Sequence, residues 1–258
     1  MAWTPFPYAD EAYVHTAASL KKAWARLHLG DAEPFPKKAA LVDAWIAFHA
    51  GDFEQAVSLG LAAGIDGYAV AHKASCIYAT YLEKSEKKKI AAFECVAERC
   101  ERHQDEQPAN AAAWYWHAYA LGRYAQGISI VKALAQGIAP KVRASLDKTI
   151  KLAPAHADAH IALGTFHAEI IGSVGAMIGG LTYGVKKEEA YKAFRKALEL
   201  NPDSAIGRIE YANALVTLEG KKKMDEAVGL YRQAAAVDVK DATERLDVEA
   251  AKQELEDE

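Results

Sequence analysis

Histidine supplies the first candidate chemistry. His156 and His160 stand one helical turn apart and His167 lies seven residues further on, near the same face of a helix. Three such imidazoles approach the ligand set of a zinc ion, which wants three or four donors in tetrahedral array. A metal-dependent enzyme at His156, His160 and His167 is therefore one alternative reading. No Cys and no H-E-x-x-H pattern accompanies them, so packed, structural histidines are the preferred reading, as they are for His117. Nucleophilic catalysis lacks a local signature, because no G-x-S-x-G occurs. A phosphate loop of the form G-x-x-x-x-G-K-[ST] is also missing. The glycines of 172–184 are irregularly spaced and follow a helical pattern rather than a strand, against a dinucleotide cradle. Cys76, Cys95 and Cys100 are odd in number and contain no C-x-x-C pair, which argues against a disulfide framework or structural zinc. They read as buried, reduced thiols on helices. The expectation is no enzyme, no cofactor and no metal.

Such residues need elements to hold them, and composition restricts those elements. Thirty-one Lys+Arg face 35 Asp+Glu, a formal charge of −4; a nucleic-acid binder would need a basic face to displace counterions. A hydrophobic fraction of 51% excludes disorder. Seventeen Gly and 8 Pro are few for a loop-rich β protein, and Ala-rich runs poor in β-branched residues favour helix. Met1 to Asp10 has neither a basic region nor an apolar run. With the thiols, this points to the cytoplasm, or to the periplasm if a leader is removed. The uncharged stretch Ile170 to Val185 falls short of the roughly 20 apolar residues of a spanning helix, so a buried, glycine-loosened insertion is expected rather than a membrane segment. Lys87-Lys88-Lys89 and Lys221-Lys222-Lys223 read as solvated runs, and the acidic tail Glu254 to Glu258 as a fraying end.

Repeats organise the chain. KEEAYKAFRKALELNP, Lys187 to Pro202, sets Ala190, Phe194 and Ala197 on one helical stripe. The residue before Pro202 is pushed out of the helical region, and a second helix follows at once over Asp203 to Leu218, capped by Asp203 or Ser204. Val142, Leu146 and Thr149 repeat the stripe before Pro154, ahead of a helix over His156 to Ile170. Ala227, Tyr231 and Ala234 repeat it again in DEAVGLYRQAAAV. These units resemble tetratricopeptide (TPR) repeats, strongly over 155–237, fairly over 109–154 and 37–66, and weakly over 67–108. The interval Pro154 to Pro202 is about 48 residues, against a TPR period of about 34. The excess, GSVGAMIGGLTYGV, falls between the paired helices, as does GISIVKALAQGIAP of Gly127 to Pro140. Apolar inserts on one edge should pack on each other, line a pocket or meet a partner. A Leu-Gly helix followed by a Gly-Gly-Leu insert and a Glu-Glu-Ala helix is similar, over 109–256, to the regulator-of-microtubule-dynamics family and its bacterial relatives. A weaker likeness is to the TPR component that accompanies TRAP transporters.

The expected fold is all-α, a TPR-like solenoid of helical hairpins in one domain over 1–258. It divides into an N-terminal helix and linker (1–36, the helix over Asp10 to Leu29), divergent repeats (37–108), repeats with inserts at 127–140 and 170–185 (109–239), and a polar capping helix (240–258). In TPR arrays the first helix of each pair lines a concave groove. Register from the repeats turns Tyr115, Trp116, Tyr119 and Arg123 inward from one helix, Asp158, Thr165 and Glu169 from the next, and Glu210 and Asn213 from the last. Aromatics give rigid contact area and the polar groups give direction. A clamp for a peptide carboxylate is not expected, because Ile209 replaces its lysine four residues before Asn213. The groove implies a non-enzymatic scaffold for a peptide, a protein partner or an apolar small ligand. The alternative to the metal enzyme is a homo-oligomer joined through the inserts.

Overall fold

Three prolines set the rhythm of the chain. Gln107, Ala153 and Asn201, each just before a proline, terminate helices with nearly the same backbone, φ −132, −135 and −132° and ψ 66, 82 and 85°, outside the helical region that a following proline disfavours. After each, a side-chain cap restarts a helix: Asn110 accepts from the Ala112 amide, His156 from that of Ala159 and Ser204 from that of Gly207. The computed structural model describes residues 3–256 and contains only helices and their connections among them. Along the chain run α1 (Ala17–Leu27), α2 (Ala39–His49), α3 (Phe53–Ala62), α4 (Tyr68–Tyr81), α5 (Glu86–Glu106), α6 (Ala111–Ile128), α7 (Ile130–Ala135) and α8 (Ile138–Leu152). They are followed by α9 (Ala157–Val174), α10 (Ala176–Tyr183), α11 (Lys187–Leu200), α12 (Ala205–Glu219), α13 (Met224–Ala235) and α14 (Ala242–Glu256).

The helices pair as antiparallel hairpins that stack in sequence, the arrangement of an all-α TPR-like solenoid. Stacking buries the apolar faces in three clusters between pairs, bridged by half-buried residues such as Leu121 and Tyr124 between the first and second and Tyr191 and Tyr211 between the second and third. Phe194 of α11, fully buried, lies against α9 at Gly164, where an added Cβ would sit 2.7 Å from its ring. Truncating such a phenylalanine to alanine costs about 3–5 kcal/mol.

The weak stretch 67–108 folds as an ordinary helical pair, α4 and α5. Four expectations need correction. The first helix begins at Ala17 rather than Asp10, because Thr16 and Ser19 close a capping box there; Glu11–Tyr13 is a separate 3-10 turn. The stretch 170–185 is not a buried insertion: its short helix α10 leaves Met177, Ile178 and Leu181 exposed, because only its Gly179 side packs on neighbouring residues. Cys95 is exposed, while Cys76 and Cys100 are buried. The acidic tail stays helical through Glu256, and its last two residues lie outside the described ones. No helix among the described residues is long and apolar enough to cross a membrane.

Candidate functional site

The two ends of the solenoid meet. Arg26 of α1 bonds Glu244 of α14 at 2.6 Å, His49 Nδ1 lies 2.7 Å from Asp241 Oδ2, and the Tyr81 hydroxyl donates to Asp247. The Asp158 amide at the start of α9 donates to the Gly30 carbonyl at 2.9 Å. Asp241 also accepts from the Glu244 amide at 2.8 Å and so caps α14. Closure turns the concave groove into a cavity of about 190 Å³.

The lining changes character from one side to the other. The helices of the first insert and of α9 contribute Ile130, Ala133, Leu134, Ile138, Ile161 and Phe166. The segment after α1 contributes Asp31, α4 contributes Lys73 and Tyr81, and the α14 end contributes Asp241 and Asp247, while Tyr115, Trp116 and Tyr119 of α6 also face the space. On the polar side Asp31 is anchored by Lys73 Nζ at 2.6 Å and by His28 Nδ1–H at 2.8 Å. Burial pushes the Asp31 carboxyl up, but His28 and Lys73 together hold it well below the usual carboxylate range. His28 is lowered to about 4, first by burial, and packs flat on Trp24 with ring centroids 3.8 Å apart. Burial and the Asp31 charge raise Asp158 to about 7 against the pull of Lys73. Asp247 is pushed well up by burial and by Asp241, Asp158 and Glu244, against its hydrogen bond from Tyr81. Carboxyls crowded in low dielectric resist ionisation in this way.

Eight of the nine groove residues expected from the sequence line the cavity: Tyr115, Trp116, Tyr119 and Arg123 of α6, Asp158, Thr165 and Glu169 of α9, and Glu210 of α12. Several bond one another. Arg123 Nη2 donates to Glu210 Oε1 at 3.0 Å, Thr165 Oγ1 to Glu210 Oε2 at 3.2 Å, and Gln126 donates to Glu169. Burial, with the Glu210 charge, raises Glu169 to about 7 although the Gln126 bond opposes it. Asn213 does not join them. It is exposed and accepts from the Tyr231 hydroxyl, because α12 turns this position towards α13. Sequence register also missed Asp31, Lys73, Tyr81, Asp241 and Asp247. One signal was present: Lys73 is a lone charge in the otherwise uncharged run Tyr68 to Ile77, where burial demands a partner.

The histidine face does not assemble as a metal site. His156 Nδ1 accepts from the Ala159 amide as a helix cap, and His167 Nδ1 accepts from the Lys186 amide at 3.2 Å. No group of three or more His, Cys, Asp or Glu among the described residues is arranged to hold a metal ion.

No family model and no curated protein matches the sequence. Among solved structures the chain is similar to a thermophilic TPR protein of Thermus thermophilus, with 16% identity over 83% of this chain and 97% of that one and a TM-score of 0.57. At that identity the likeness shows the fold, a TPR-like helical repeat. It identifies no ligand or partner.

Proposed function

We propose that the chain is a non-enzymatic binding scaffold whose closed groove takes a small ligand or the side chain of a bound peptide. The observation that carries this reading is the cavity with an aromatic wall, half open to solvent, where α1, α2 and α4 meet α14. Pockets that are mostly apolar with a few convergent polar groups are the usual form of a small-ligand site. The likeness to the regulator-of-microtubule-dynamics family adds no residue to this reading, because no binding motif accompanies it.

Gly122 provides the test. It lines the cavity on α6, and a Cβ there would meet nothing within 4 Å. Gly122→Leu therefore fills the space without a clash at Cβ and improves helix propensity. A library of small aryl and alkyl compounds screened by thermal shift should yield hits on the wild type that vanish in Gly122→Leu. Hits that shift both proteins equally would remove the cavity as their site.

A second reading rests on a separate feature. Met177, Ile178 and Leu181 of α10 are 76, 54 and 86% exposed, an apolar face such as assembly interfaces use. Self-association through α10 predicts a concentration-dependent dimer in sedimentation that Leu181→Arg abolishes; a monomer at every concentration ends this reading.

A further inference from the structure

The charges lining the cavity do not balance. Eight carboxyl residues line it against three cations, Arg26, Lys73 and Arg123. Each cation is already engaged: Arg26 with Glu244 at 2.6 Å, Lys73 with Asp31 at 2.6 Å and Arg123 with Glu210 at 3.0 Å. Of the other carboxyls, Asp241 is held by His49 and the Glu244 amide, Asp247 by Tyr81 and Glu169 by Gln126, while Asp203 is exposed. No hydrogen bond or ion pair among the described residues engages the Asp158 carboxylate. Asn201, 9% exposed, lines the same cavity with its Oδ1 unpartnered. The Thr243 hydroxyl lines the cavity too and is likewise unpartnered; it can accept as well as donate, so every unmet side chain here can accept, and a carboxylate left without a hydrogen-bonding partner inside a protein is costly.

The remaining walls suit a cation with an apolar body. Tyr81, Tyr115, Trp116 and Tyr119 present aromatic rings, which attract cations through their faces. Ile161, Phe166 and Ile138 give an apolar end. The volume of about 190 Å³ is of the order of the roughly 150 Å³ cavity that takes up benzene, which sets the size of the occupant at a small molecule.

We propose that the cavity binds a small organic cation, an amine carrying an aryl or short alkyl body, with its ammonium donating to Asp158 and its body directed towards Ile161 and Phe166. This rests on the reading of the cavity as a binding site. An ammonium offers donors only, matching an environment of unmet acceptors. Binding also has a proton signature. Asp158 is acted on by Asp31 and Lys73, and it acts on Tyr115 of α6 and Asp247 of α14. Its carboxyl, raised to about 7 by burial and the Asp31 charge, loses its proton when a cation arrives.

The experiment compares 2-phenylethylamine, the neutral 2-phenylethanol and the anionic 3-phenylpropionate by calorimetry on the full chain near pH 7. The amine is expected to bind at least about tenfold more tightly than the alcohol, as one charge-assisted hydrogen bond supplies, and the acid most weakly. The amine enthalpy should differ between phosphate and Tris, because a proton is released to the buffer. Asp158→Asn should bring amine and alcohol affinities together and abolish the buffer dependence; should that variant not fold, Asp247→Asn should reduce the amine preference. An alcohol that binds as well as the amine, or an amine preference that survives Asp158→Asn, overturns the cation assignment while leaving the cavity reading intact. Failure of all three compounds to bind overturns both.

Discussion

The two inserts are built alike and end differently. Each leaves an 18-residue helix, α6 or α9, through one residue with positive φ, Ser129 (84°, ψ 136°) or Gly175 (82°, ψ 155°). Each then forms a short helix and closes on a left-handed glycine, Gly137 (φ 72°) or Gly184 (φ 67°). The first folds inward: Ala133 is 2% exposed and lines the cavity with Ile130 and Leu134. The second lies on α9 with Met177, Ile178 and Leu181 facing out and Gly179 buried. The same backbone device therefore serves a cavity wall in one repeat and an exposed face in the next. Apolar composition alone does not say which, because it does not say what stands opposite.

The sharpest way to break this contrast is to place one charge on each insert. Ala133→Arg should destabilise by about 4 kcal/mol or more, through an unpaired charge and overpacking in the wall. Chemical denaturation of the two variants reads the difference directly, and an equal effect from Leu181→Arg would erase it.

The residues that open the inserts come next. Gly175→Val should cost about 1–3 kcal/mol, since that backbone region is essentially reserved for glycine. Ser129→Gly should gain about 1 kcal/mol: the strain goes, and a serine cap replaced by glycine loses only a few tenths. The Ser129 cap itself is weak, its Oγ accepting from the Lys132 amide at 3.4 Å. Denaturant midpoints check both, and a Ser129→Gly variant that loses stability would show that Ser129 and Gly175 do not play equivalent parts.

The inserts should also part company with pH. His167, the eleventh residue of α9, receives the Lys186 amide just after the second insert; α6 carries Leu121 at the matching place. Burial, with Arg143, lowers His167 to about 4 from 6.5. A base depressed in the folded state gives full stability above its unfolded pKa and loses it as pH falls towards the folded one. Protonation of Nδ1 also removes the acceptor. Amide protection at Lys186 should therefore drop between pH 6.5 and 4, while that of Gln136 and Gly137 changes less; uniform loss at both inserts would refute the link. The smallest expected effect is that of Leu181→Arg on stability, within about 0.5 kcal/mol.

The repeat frame was legible because proline, caps and a one-stripe apolar pattern act within a few residues of each other. Ala190, Phe194 and Ala197, read as one stripe, are all buried on α11. The positions of Tyr115 to Glu210 on first helices were legible for the same reason: register is a local property of a helix. Asn213 failed because one helix presents two sides, and α13 occupies the one it faces. Asp31, Lys73, Asp241 and Asp247 were hidden for a different cause. They come from segments far apart in the chain, and only the meeting of α1, α2 and α4 with α14 brings their charges together. Local chemistry thus determined which residues are helical and which flank is greasy. Tertiary structure alone decided that the array closes, because closure depends on the summed angles between stacked pairs. Those angles are set by contacts such as Gly164 on Phe194, which no short window of sequence contains.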